Sequence, residues 1–158
     1  KRQYEQIIEA DAYRSGSIHL PAKAISLQEE IGGIPARNIA ILSGGDSNLE
    51  TIMFHLVNAM STIDDVLDVF HDDDLKQTRT TIPLAYLHQE FRTVSDLTNE
   101  QVLQSSAFKQ TKDYVLSEVS SARENLDKLN VQRELFLHDM MSALEIFIKN
   151  IMGEIAHG

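Results

Sequence analysis

The chain has 158 residues, 42% of them apolar, with no Trp and no Cys, and a formal charge of −10 from 24 acids against 14 Lys and Arg. That length supports a single domain, 1–158, with a real core of Leu, Ile, Val, Met and Phe. The absence of any basic run speaks against nucleic acid and anionic lipid as partners, and the absence of Cys excludes disulfides and thiolate metal sites.

Residues 2–31 read as a first helix, with Tyr4, Ile7, Ile8, Ala12, Ala22, Ile25 and Leu27 on its apolar face. Pro21 predicts a kink, because it removes a backbone donor and crowds the preceding turn. Gly32-Gly33-Ile34-Pro35 predicts a firm stop, and 32–47 reads as a loop containing Gly44-Gly45. Asp46 or Ser47 is placed to cap the second helix, with Glu50 in reach of a capping box from Ser47. Ile52, Leu56, Met60, Ile63, Val66, Leu67 and Phe70 carry its period to about Thr78. Thr80, Thr81 and Pro83 predict a break and a new start, with Pro in the first turn.

From Thr98 to Met152 there are 55 residues without Gly or Pro. Val115, Val119, Ala122, Leu126 and Leu129, then Phe136, Met140, Leu144, Phe147 and Ile151, recur at steps of three and four. Two layouts fit. The third helix stops near Ser95–Thr98, where Thr98 and Gln101 make a capping box, and the last helix is very long. Otherwise the third runs to about Lys128 and the last starts near Ser121, with Glu124. Either way the expected fold is all-α: an up-down antiparallel four-helix bundle with a long C-terminal helix. The start at Lys1 and the end inside a helical pattern at Ile155 read as a piece excised from a longer protein, with membrane segments expected on either side.

Four places carry candidate chemistry. Arg14-Ser15-Gly16-Ser17-Ile18-His19-Leu20 offers a weakly basic spot. Gly16, Ser17, Ile18 and Leu20 resemble the Gly-Ser-Leu-Arg-Met segment on the first helix of the periplasmic bundle of bacterial nitrate-sensing histidine kinases. In that family the Arg pairs across a homodimer axis to grip a planar anion. His19 takes the place of that Arg here, a departure that puts nitrate itself in doubt. The resemblance implies a small anionic ligand held between helices by Arg14, Ser17 and His19. The competing reading is that Ser-Gly-Ser permits close helix packing and His19 lies at the surface.

The second place is Phe136-Leu137-His138-Asp139-Met140-Met141-Ser142-Ala143-Leu144. It resembles the phosphoacceptor box of histidine kinases, matching at His138, Asp139, Ser142 and Leu144, with Ala143 where that box has Pro. Gln132-Arg133-Glu134-Leu135 suits the helix that enters it. The resemblance implies His138 as phosphoacceptor and Asp139 as the carboxylate that orients its ring. The competing reading is a histidine beside the apolar seam. No second hairpin helix or ATP-binding domain follows, so no catalytic activity is expected of these residues alone.

His55 and Asn58, one turn apart, echo other phosphotransfer helices or form a buried polar pair. Finally, Asp64, Asp68 and Asp72 lie at i, i+4, i+8 near a helix C-terminus, where negative charge opposes the macrodipole. A hard divalent cation would offset that cost; so would Lys76 and Arg79 beside a solvated acidic end. No cofactor is expected.

The two resemblances point to one broader family but to different parts of it. The expected function is a homodimeric sensory or signal-relay domain of a bacterial transmembrane receptor of two-component sensor-kinase type. It would sit on the periplasmic face of the inner membrane and signal by helix displacement. The alternatives are a cytoplasmic dimerisation and phosphotransfer helix set using His138, and a non-catalytic helical interaction module.

Overall fold

The computed structural model describes residues 20–42, 44–71 and 80–129, and between 138 and 150 residues 138, 139, 141, 142, 145, 146, 149 and 150. The described residues form helices joined by turns and short extended links, and none forms a strand. The first helical rod comprises α1 (Pro21–Gln28), a π-helical turn (Glu29–Gly33) and α2 (Ile34–Leu42). There follow α3 (Ser47–His71), α4 (Ile82–Glu90), α5 (Asn99–Gln104) and α6 (Ser106–Leu126).

Two sequence expectations fail in the first rod. Leu20 is extended and Pro21 is the first residue of α1, so Pro21 opens a helix here and does not kink one. Residues 2–19 of the expected first helix lie outside the described residues. The expected stop at Gly32-Gly33-Ile34-Pro35, and the loop over 32–47, are replaced by continuing helix to Leu42. The Ile34 N–H donates to the Glu29 carbonyl, a wide turn that opens the ladder just where Pro35 lacks its N–H. The glycines serve packing. A Cβ on Gly33 would lie 2.7 Å from the Phe54 ring, and one on Gly32 would lie 3.2 Å from Val57 Cγ1, so both let the rod approach α3 closely. The rod ends in a Schellman turn. Gly44, at φ 73°, donates to Ile41 O, and Gly45 donates to Ala40 O.

Asp46, not Ser47, caps α3, its Oδ1 accepting from the N–H groups of Asn48 and Leu49 at 2.9 Å. Glu50 turns to Arg37 instead of closing a capping box. Thr81 and Pro83 start α4 as the sequence suggests. The Thr98–Gln101 capping box forms at the head of α5. Among the described residues the C-terminal third follows the first layout in its short third helix, but the run after it is not one unbroken helix. α4 is short, and the run after Thr98 is interrupted at Ser105, which is extended. Ser105 Oγ accepts from the Phe108 N–H, and the Glu90 carboxylate accepts from the N–H groups of Ser106 and Ala107. A cap and a remote carboxylate thus start α6 without Gly or Pro. Ser121 lies inside α6 and starts nothing, and the chain turns at Asp127–Leu129.

α3 and α6 run antiparallel along the core. At one end Ile52 and Leu56 meet Ala122, Leu126, Leu129 and Met141. Farther along, Ala59, Ile63 and Val66 meet Phe108, Val115 and Val119. α4 closes the far end, with Leu84 and Leu87 against Val69, Val94, Val102 and Ala107. Ala24 of α1 packs on Ile82 and Ala85. The helical residues after 138 run back along α6: His138 lies 3.7 Å from Asp127, and Glu145 is 3.0 Å from Arg123.

Candidate functional site: a polar layer between the rods

Alongside the apolar cluster of Ile63, Val66, Val115 and Val119, α3 and α6 both turn polar residues inward. On α3, Asn58, Thr62 and Asp65 follow at i, i+4 and i+7, all buried. On α6, Thr111, Tyr114 and Glu118 form the matching edge beside the apolar stripe. The two threonines satisfy themselves by donating to carbonyls four residues back, Thr62 to Asn58 O and Thr111 to Ala107 O. Glu118 takes up Asn58 and His55. Its Oε2 accepts from Asn58 Nδ2 at 3.2 Å and lies 3.1 Å from His55 Nδ1. The π turn brings Glu29 to the same layer.

The electrostatics of the layer are unfavourable. Burial raises the Glu29 carboxyl above its ordinary range, and Glu118 adds to this, while His55 opposes it and Glu30 reinforces it slightly. Burial also holds the Tyr114 phenol well above its usual range, helped by Glu118, Glu29 and Tyr86. Burial raises Tyr86 too. Asn58 Oδ1 and Tyr114 Oη are among the buried side-chain atoms that have no hydrogen-bond partner. Asn58 is 0% exposed, and its Oδ1 points at the π turn, 2.8 Å from where a Gly33 Cβ would sit. An orphaned buried acceptor or hydroxyl costs about 1–3 kcal/mol. The chemistry available is proton binding and rearrangement of hydrogen bonds. A small apolar gap lined by Val66, Pro83, Phe108 and Thr111 has room for roughly one water and offers no ligand cavity.

His55 and Asn58 therefore form a polar pair, joined through Glu118 rather than to each other. Glu29, Tyr114 and Glu118 were not singled out by sequence. The spacing Thr111, Tyr114, Glu118 along one edge of the α6 stripe was the available signal. Arg14, Ser17 and His19 lie outside the described residues. His138 is half-exposed and Asp139 exposed, and the carboxylate near the His138 ring belongs to Asp127 in the turn after α6. Asp64 is exposed and Asp68 half-buried on α3, while Asp72 lies outside the described residues. Among the described residues no three His, Cys, Asp or Glu side chains converge as a metal ion would require. No described helix is long and apolar enough to cross a membrane. Compared with protein families, curated proteins and solved structures, the chain matches none.

Proposed function

We propose that the chain is a non-catalytic sensory and signal-relay module of a bacterial transmembrane receptor of the two-component sensor-kinase type. It works as a homodimeric up-down antiparallel four-helix bundle on the periplasmic face of the inner membrane. Its four rods are α1–α2, α3, α6 and the helical residues between 138 and 150; the apolar positions Phe136, Met140, Leu144, Phe147 and Ile151 lie outside the described residues. A small anion held near Arg14, Ser17 and His19 is the stimulus, and displacement of the first rod against α3 and α6 is the response.

The observation that carries this proposal is the pair of orphaned atoms, Asn58 Oδ1 and Tyr114 Oη, in the layer where three rods meet. A core optimised for one rigid packing would fill that layer with aliphatic side chains. An under-satisfied polar layer leaves a second register within a few kcal/mol, as a population shift needs. The π turn gives the rod a place to change pitch. Spin labels at Ala22→Cys and Ser120→Cys, in chains diluted with unlabelled protein, test it by pulsed electron resonance. Two interspin distances are expected, collapsing to one in Asn58→Leu. A single narrow distance in both proteins would contradict relay by rod displacement.

His138 supports a second reading as a phosphoacceptor, because its imidazole is half-exposed with a carboxylate 3.7 Å from Nε2. Incubation with a phosphodonor or a kinase core would then give an acid-labile label, absent in His138→Gln. No label on the parent protein would end that alternative.

A further inference from the structure

Helix α2 is built inside out. Its core-facing positions are small: Gly33 just before it, then Ala36 and Ala40, at 5% and 4% exposure. Its outward positions are large and aliphatic: Ile34 (37% exposed), Ile39 (61%), Ile41 (48%) and Leu42 (87%). A helix on a water surface carries polar residues there. At 100° per residue, Ile41, Ile34, Asn38, Leu42 and Ile39 succeed one another around one side, so these side chains form one continuous face.

Charge limits what can cover it. From Ile31 to Gly45 there is no carboxylate, and the one charged residue is Arg37 at the rim, 3.4 Å from Glu50. The whole chain carries −10. Two such chains repel overall, and a two-fold contact that sets this uncharged face against itself is one that keeps like charges out of close contact. An anionic membrane surface is disfavoured by the same net charge.

We propose that the outer face of α2, centred on Ile34, Asn38, Ile41 and Leu42, is the surface through which two copies of this chain pair about a two-fold axis. This rests on the homodimer proposed above and assigns its contact. Asn38 sits amid the aliphatic side chains near the axis, where a polar pair sets register. The same rod that displaces at the polar layer then carries the dimer contact on its opposite side.

The chain contains no Cys, so single cysteines report cleanly. In the full chain, light scattering is expected to give a dimer mass, and Asn38→Cys is expected to cross-link two copies on oxidation. Ile41→Asp is expected to weaken dimerisation about tenfold or more with unchanged helical circular dichroism. Leu42→Glu, at a position 87% exposed, is expected to weaken it too and gives the same readout if Ile41→Asp fails to fold. A dimer that survives these charges and does not cross-link through Asn38→Cys would overturn this assignment and leave the homodimer intact. A parent protein monomeric at every concentration, including one whose own residues 1–19 cover the face, would overturn both.

Discussion

Tyr114 and Glu29 are the residues on which the polar layer bears hardest. The Tyr114 hydroxyl is buried without a partner, so Tyr114→Phe deletes a desolvation cost and no hydrogen bond. Urea unfolding is expected to find the variant more stable by about 1 kcal/mol, or at least no less stable. The raised phenol also fixes a sign. An acid whose folded value lies above its unfolded one ionises first in the unfolded chain, so stability falls as pH rises past the ordinary tyrosine range. Tyr114→Phe is expected to flatten that alkaline decline. Glu29 follows the same rule at lower pH. Its raised carboxyl makes the protein lose stability as pH rises from the acid side through the folded value. Glu29→Gln is expected to remove that slope and to melt higher than the parent at neutral pH. An unchanged melting profile would mean the carboxylate is solvated well enough to escape the layer; since Glu29 is only half-buried, the direction alone is expected.

At the scale of elements, the first rod depends on close approach. Gly33→Ala would put a methyl 2.7 Å from the Phe54 ring and 2.8 Å from Asn58 Oδ1. It is expected to destabilise by about 1–3 kcal/mol despite the helix propensity gained. Gly32→Ala meets its nearest atoms at 3.2 Å, a flexible Gln28 amide and a Val57 methyl, and is expected to be close to neutral. Thermal melts of the pair separate a packing role from a turn role, since a terminating Gly-Gly would make both alanines similar. These glycines also mark where the sequence misleads. Gly-Gly-Ile-Pro is a terminator by local rules, and the same residues are what a rod needs to touch α3 and to pass a proline through a π turn. Ser105 misleads in the opposite way: it breaks the chain where no Gly or Pro warns of it, because Glu90 reaches across from α4 to cap α6. By contrast, Pro83, the Thr98–Gln101 box and the cap at Asp46 act within four residues, and each was legible.

Over the whole molecule, the apolar stripes were the most legible feature. Val115, Val119, Ala122, Leu126 and Leu129 are all buried, as are Ile52, Leu56, Ile63 and Val66. Periodicity specifies which face of a helix turns inward, and that suffices for an all-helical fold. Met60 is the exception on α3 at 53% exposed, having shared the expected stripe without reaching the core. The polar layer was only half legible. His55 and Asn58 stood out as a pair on one helix, but their partner Glu118 lies 60 residues beyond Asn58. A contact between elements that far apart leaves no spacing to read. Nor does periodicity assign what covers α2, where the outward face is the more apolar one. The two features sit on opposite sides of the same rod: a polar layer that packs imperfectly, and a greasy face that water should not see. Both features lie on the first rod, the one that the proposed relay displaces.

The sharpest test of that account is the unfolding free energy of the double variant Asn58→Leu/Tyr114→Phe, measured in urea beside the parent protein. Removing both orphaned polar atoms, offset by loss of the Asn58–Glu118 hydrogen bond, is expected to leave stability unchanged or raised by about 1 kcal/mol, with an unchanged denaturant slope. A loss of more than about 1 kcal/mol would mean that the layer is a satisfied structural network, and that the rods are locked in one register.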